Sequence, residues 1–89
     1  MLFMSIYTYE PSQRNAIVKR AQEKGNTYPP GVKVVGDYID ISGGRIFTLF
    51  EADNPSDILV SNYAWSDLGK IELVAVMETP KVMEAIKGT

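Results

Sequence analysis

The chain has 89 residues, 45% of them hydrophobic and 22% charged, and a formal net charge of −2. That length predicts one domain over residues 1–89 with an incomplete core, and the balance of charge excludes both disorder and the basic footprint of a nucleic-acid binder. With no cysteine and no histidine, disulfides, thiolate nucleophiles, Ser-His-Asp triads and Cys- or His-ligated metals are ruled out within one chain.

Residues 2–9 (LFMSIYTY) are rich in β-branched and aromatic types and read as a first strand, stopped by Glu10-Pro11. Pro11 suits the first turn of a helix. Arg14, Ile17, Val18 and Ala21 then recur at helical spacing, with Arg20, Glu23 and Lys24 mainly to the outside, until Gly25. Residues 26–31 (NTYPPG) form a stiff loop. Residues 32–41 read as strand two, Ser42-Gly43-Gly44-Arg45 as a tight hairpin turn, and residues 46–52 as strand three. Asn54, Pro55 and Asp57 mark the start of helix two, which is expected to run to about Leu68 before Gly69. Residues 71–78 are strand four, and Thr79-Pro80 opens a short last helix that ends before Gly88.

Strand, helix, hairpin, helix, strand is the ferredoxin-like βαββαβ order. The expected α+β fold is a four-stranded antiparallel sheet with two helices on one face and a short C-terminal helix. Both faces of the strands are apolar. Leu2, Met4 and Ile6 oppose Phe3 and Tyr7, Phe47 and Leu49 oppose Ile46 and Phe50, and Ile71 and Leu73 oppose Val74 and Val76. Two helices cover one face only, so the other predicts a homodimer through packed sheets. The alternative is that the last helix folds over it within one chain.

The opening LFMSIYTYEP, then Pro30-Gly31-Val32-Lys33-Val34, Gly36-Asp37-Tyr38, Gly43-Gly44-Arg45-Ile46-Phe47, Glu51-Ala52-Asp53-Asn54-Pro55 and Trp65-Ser66-Asp67-Leu68 carry a resemblance to the dimeric α+β barrel superfamily, and within it to a domain family of unknown function. The resemblance implies a dimeric barrel. It also brings in cofactor-free oxygenases, lactone isomerases and haem-degrading enzymes as relatives, the last using a histidine that this chain lacks.

The candidate ligand-binding residues are Tyr7, Asn62, Trp65, Tyr38 and Arg45. Tyr7 shares a strand face with Ser5 and Tyr9, and its hydroxyl either holds a phenolic or carbonyl ligand or marks the rim of the core. Asn62 and Trp65, three apart with Ile58 one turn earlier, either line an apolar pocket or serve packing alone. Arg45 either clamps a carboxylate or pairs with Asp37, Asp40 or Glu51. Asp37 and Glu51, on paired strands, would be an acid–base pair only if they approach. A hard-metal site from Asp37, Asp40, Glu51 and Asp53 lacks calcium-loop spacing, so no metal and no cofactor are expected. Tyr28 sits in the loop as a lid or a plain connector. No apolar run reaches bilayer length and no secretory signal is visible, so a cytoplasmic protein with no membrane or nucleic-acid partner is expected. Function is read as a homodimer binding a small aromatic or carbonyl compound between sheet and helices. A structural or protein-interaction dimer is the alternative, and an RNA-recognition-like use of the sheet is disfavoured by the negative charge.

Overall fold

The computed structural model describes residues 1–25 and 28–89; the loop residues Asn26 and Thr27 lie outside them. Strand β1 (Leu2–Thr8) leads through a 3-10 turn (Pro11–Gln13) into α1 (Arg14–Lys24), followed by β2 (Lys33–Ile39), β3 (Arg45–Glu51), α2 (Pro55–Tyr63), β4 (Lys70–Val76) and α3 (Thr79–Ala85). The strands form one four-stranded sheet in the order β2-β3-β1-β4, with every neighbouring pair antiparallel. This is the ferredoxin-like arrangement that the order of elements predicts.

Register decides which side chains meet the helices. Ser5 lies opposite Thr48 on one side and Leu73 on the other, and Tyr7 lies opposite Ile46 and Ile71. Phe3 stacks on Phe50 with ring centroids 5.5 Å apart. Because side chains alternate along a strand, Leu2, Met4, Ile6, Phe47, Leu49, Val74 and Val76 occupy the opposite, uncovered face. The packed core gathers Val32, Phe50 and Ala52, with Phe3, Tyr28, Ile58 and Leu73 against them.

Most strand ends shift by one or two residues from expectation, and the ends of β2 and α2 have identifiable causes. Strand β2 stops at Ile39 because Asp40 turns the chain. Its carboxylate accepts from the Ser42 backbone N–H at 3.0 Å and the Ser42 hydroxyl at 2.6 Å, while Gly43 N–H donates to the Asp40 carbonyl at 2.8 Å. Gly43 and Gly44 both take φ of 91°, the left-handed region that glycine enters freely. Helix α2 ends at Tyr63 and not near Leu68. After Ala64 the hydrogen bonds tighten to three-residue spacing, with Trp65 N–H donating to the Asn62 carbonyl at 3.1 Å and Ser66 N–H to the Tyr63 carbonyl at 3.4 Å. The carbonyls beyond are met by side chains: Arg20 Nη1 donates to Ala64 O at 2.9 Å and the Tyr7 hydroxyl to Trp65 O at 2.8 Å. The chain continues in tighter turns, with Leu68 N–H also reaching Trp65 O. The helix start follows expectation, with Asn54 Oδ1 accepting from Ser56 N–H at 2.9 Å and Pro55 in the first turn.

The C-terminal helix does not fold back over the uncovered face. None of the residues of α3 is buried, and Met83 and Ile86 stay 58% and 51% exposed. The chain therefore spans 50 Å along its longest axis and only 17 Å along its shortest, with a radius of gyration of 14.8 Å; a compact chain of this length has about 12 Å. Its accessible surface is 6530 Å², against about 5200 Å² for a folded monomer of this mass. Among the described residues no large side chain is wholly withdrawn from solvent, and no helix is long and apolar enough to cross a membrane.

Candidate functional site

Between the helices and the covered face of the sheet lies a concave pocket of about 450 Å³, within the range of small-molecule sites. Its floor is sheet: Ser5 and Tyr7 from β1, Ile46, Thr48 and Phe50 from β3, Ile71 from β4. Its roof comes from Ile17 and Ala21 of α1, Ser61 and Asn62 of α2, and Trp65 in the turn that follows α2. Tyr28 and Asp37 close the side next to β2. Most of the wall is apolar, and the polar groups fall into two sets.

One set is structural. The Tyr7 hydroxyl is occupied by the Trp65 carbonyl, and the Tyr7 ring meets the Trp65 ring edge-on at 6.4 Å. Burial pushes the Tyr7 phenol above its ordinary value, the nearby Asp67 charge adds to the rise and Arg20 opposes it, so Tyr7 remains a neutral donor at physiological pH. The buried Ser61 hydroxyl donates back to the Asp57 carbonyl at 3.0 Å. Gly69 lets the Tyr7 ring approach: a Cβ there would stand 2.6 Å from that ring and 2.8 Å from the Thr8 carbonyl.

The other set faces the cavity. The buried Thr48 hydroxyl donates to Asp37 Oδ1 at 3.1 Å. Burial pushes the Tyr28 phenol upward, a hydrogen bond with Thr48 works against that, and the charge of Asp37 adds to the rise. Tyr28, Thr48 and Asp37 thus form one connected polar strip, and Asn62 lies across from it on α2.

Three of the five residues singled out from sequence, Tyr7, Asn62 and Trp65, line this pocket together. Tyr38 and Arg45 do not. A β-bulge between Val34 and Gly36 shifts the register of β2, so Asp37 pairs with Thr48 on the helix side. Tyr38 falls opposite Phe47 on the uncovered face. Arg45 sits on that same face with its guanidinium 5.3 Å above the Phe47 ring, and it pairs with Asp40 at 3.2 Å. The Asp37–Glu51 carboxylate pair, conditional on the two side chains approaching, is not formed. Glu51 lies opposite Lys33 and Leu2 at the far end of β3, on the other face from Asp37. Among the described residues no group of three or more His, Cys, Asp or Glu is placed to hold a metal ion.

Sequence reasoning missed Arg20 and the Tyr28–Thr48–Asp37 strip. Arg20, read as outward-facing, is gripped by both carboxylate oxygens of Asp67 at 2.7 Å each and stacks 5.4 Å over the Trp65 ring. The signal was there in the spacing, since Arg20 follows the buried Ile17 by three residues on the same helical flank. The strip carried no such signal, because the bulge that aligns Asp37 with Thr48 leaves no clear mark in the sequence. No curated protein and no solved structure matches the chain. One family matches it over residues 1–89, and the chain therefore belongs to DUF3303, a family of domains of unknown function.

Proposed function

We propose that the protein is a homodimer, built like a dimeric α+β barrel, whose subunits each bind a small aromatic or carbonyl compound in the pocket between sheet and helices. The observation that carries the binding half is the pocket itself: an apolar cavity in which Asn62, Thr48 and Asp37 supply a few convergent polar groups and Trp65 an aromatic wall. The dimer half is supported by surface. A single chain exposes about 1300 Å² more than a monomer of its mass should, and a standard interface removes about 800 Å² from each partner. The uncovered sheet face is apolar and twofold pairing is the commonest way to bury such a face.

Amide shifts of isotope-labelled protein test the binding half during a screen of aromatic fragments. Shifts clustered on Ser5, Asn62 and Trp65 support it, and shifts confined to the uncovered sheet face overturn it. Sedimentation equilibrium tests the dimer half, and a monomeric mass at micromolar concentration overturns it.

The exposed apolar residues of α3, Met83 and Ile86, favour a second reading in which the dimer is a non-catalytic interaction module and the pocket is a packing defect. A screen in which no fragment moves any pocket amide is the outcome that reading requires.

A further inference from the structure

We infer that the pocket takes an aromatic compound that carries an N–H or O–H donor and no negative charge; the inference rests on the ligand-binding reading above. Asp37 is the only formally charged side chain among the described residues that line the cavity. Arg20, the cation packed against Trp65, is neutralised by Asp67 and held by the Ala64 carbonyl. Nothing in the described wall therefore balances an anionic ligand, whereas Asp37 repels one.

The hydrogen-bonding inventory points the same way. Asp37 Oδ1 receives the Thr48 hydroxyl, and among the described residues Oδ2 has no donor. Asp37 is exposed to solvent water. A ligand that fills the cavity displaces that water, and a carboxylate oxygen left without a donor in an apolar site is costly. The ligand must therefore bring the donor itself. Specificity then arises partly by rejection, through a charge that disfavours carboxylates and phosphates of the same shape. The opposite walls, Ile17 and Ala21 above and Phe50 and Ile46 below, offer only apolar contact, which suits a flat ring system.

A matched pair of probes tests this: 1-naphthol, neutral with one donor, and 1-naphthoate, an anion on the same ring system. Each is titrated at neutral pH into the wild-type protein and into Asp37→Asn, with affinity read from the pocket amides. The expected result is about tenfold tighter binding of naphthol by the wild type. In Asp37→Asn the two affinities are expected to converge to within about threefold, chiefly through a gain for naphthoate. Naphthoate binding as well as naphthol to the wild type, or an unchanged preference in Asp37→Asn, overturns the inference while leaving the binding site standing. Failure of both probes to move any pocket amide overturns the binding reading and this inference with it. Asn is isosteric with Asp and keeps an acceptor for the Thr48 hydroxyl, and the variant's amide spectrum reports that the fold is retained.

Discussion

Arg20 and Asp67 meet as two parallel hydrogen bonds of 2.7 Å, and the same guanidinium nitrogen that reaches Oδ1 also caps the Ala64 carbonyl. One side chain thereby ties α1 to the turn after α2 and fixes the Trp65 wall of the pocket. Arg20→Ala is expected to lower the unfolding midpoint more than Asp67→Asn, since it also removes the cap and the stacking on Trp65. Arg20→Lys is expected to recover only part of the loss, because an ammonium cannot form the fork. Equal midpoints for Arg20→Lys and the wild type, in thermal melts, would show that the fork contributes nothing.

The same pair gives an acid dependence. The hydrogen bonds from Arg20 hold the Asp67 carboxyl below the usual carboxylate range. A group with a depressed folded value contributes stability that is fully present above its unfolded pKa, about 3.9. That contribution is lost as pH falls through the folded value. Asp67→Asn is therefore expected to flatten the acid limb of the stability curve below about pH 4, while lowering the plateau near neutrality. Chemical denaturation across pH 2–7 checks it, and an acid limb as steep as the wild type's would contradict it.

Tyr7→Phe removes the hydroxyl from the Trp65 carbonyl, which keeps the Leu68 N–H as a partner. A loss of about 1 kcal/mol is expected. Because burial raises the Tyr7 phenol, its contribution is fully present below the unfolded value of about 10 and lost as pH rises towards the folded one. The variant should therefore lose part of its alkaline sensitivity. Urea melts at pH 7 and above pH 10 separate the two effects.

Gly69→Ala places a methyl group against the Tyr7 ring and the Thr8 carbonyl. The carbonyl is backbone and cannot swing aside, so the expected cost is about 1–3 kcal/mol. Gly25→Ala is the control, since a Cβ there meets nothing within 4 Å and its penalty is confined to the positive φ of 62°. A neutral Gly69→Ala in urea denaturation would mean that β1 and the turn move apart freely.

If two uncovered sheet faces pack together, a charge at their centre should separate them. Leu49, opposite Met4 in the middle of the face, is the position of choice. Leu49→Glu is expected to halve the sedimentation mass with the fold retained. Val18→Glu, on the exposed flank of α1, should leave the mass unchanged.

The sequence carries the element order in its punctuation: Pro11, Gly25, the Gly43-Gly44 pair, Asn54-Pro55 and Gly69 each sit at a boundary. It carries the doubly apolar strands too, and with them the uncovered face. Helix α2 is overrun by sequence reasoning because the tight turns after Tyr63 are held by Arg20 and Tyr7, residues 44 and 58 positions away in the chain from the carbonyls they reach, and no local pattern encodes that reach. Asn62 and Trp65 reach the pocket as expected, although Trp65 does so from a turn and not from the helix. Tyr38 and Arg45 were legible as chemistry but not as place, since facing depends on register and one inserted residue reverses it.

That inserted residue has a consequence for how such a site could change over generations. Counting by twos from Val34 without the bulge, positions 36 and 38 would turn towards the helices, and Tyr38 would occupy the wall that Asp37 now holds. Loss of one codon, at Val35, would remove the bulge and keep Asp37 opposite Thr48, so the cavity's formal charge survives that deletion. The charge leaves the wall only when Val35 is drawn into regular pairing opposite Leu49, which moves the later residues of β2 by one. Ligand preference in this fold therefore turns on the register of an edge strand, with no substitution inside the pocket.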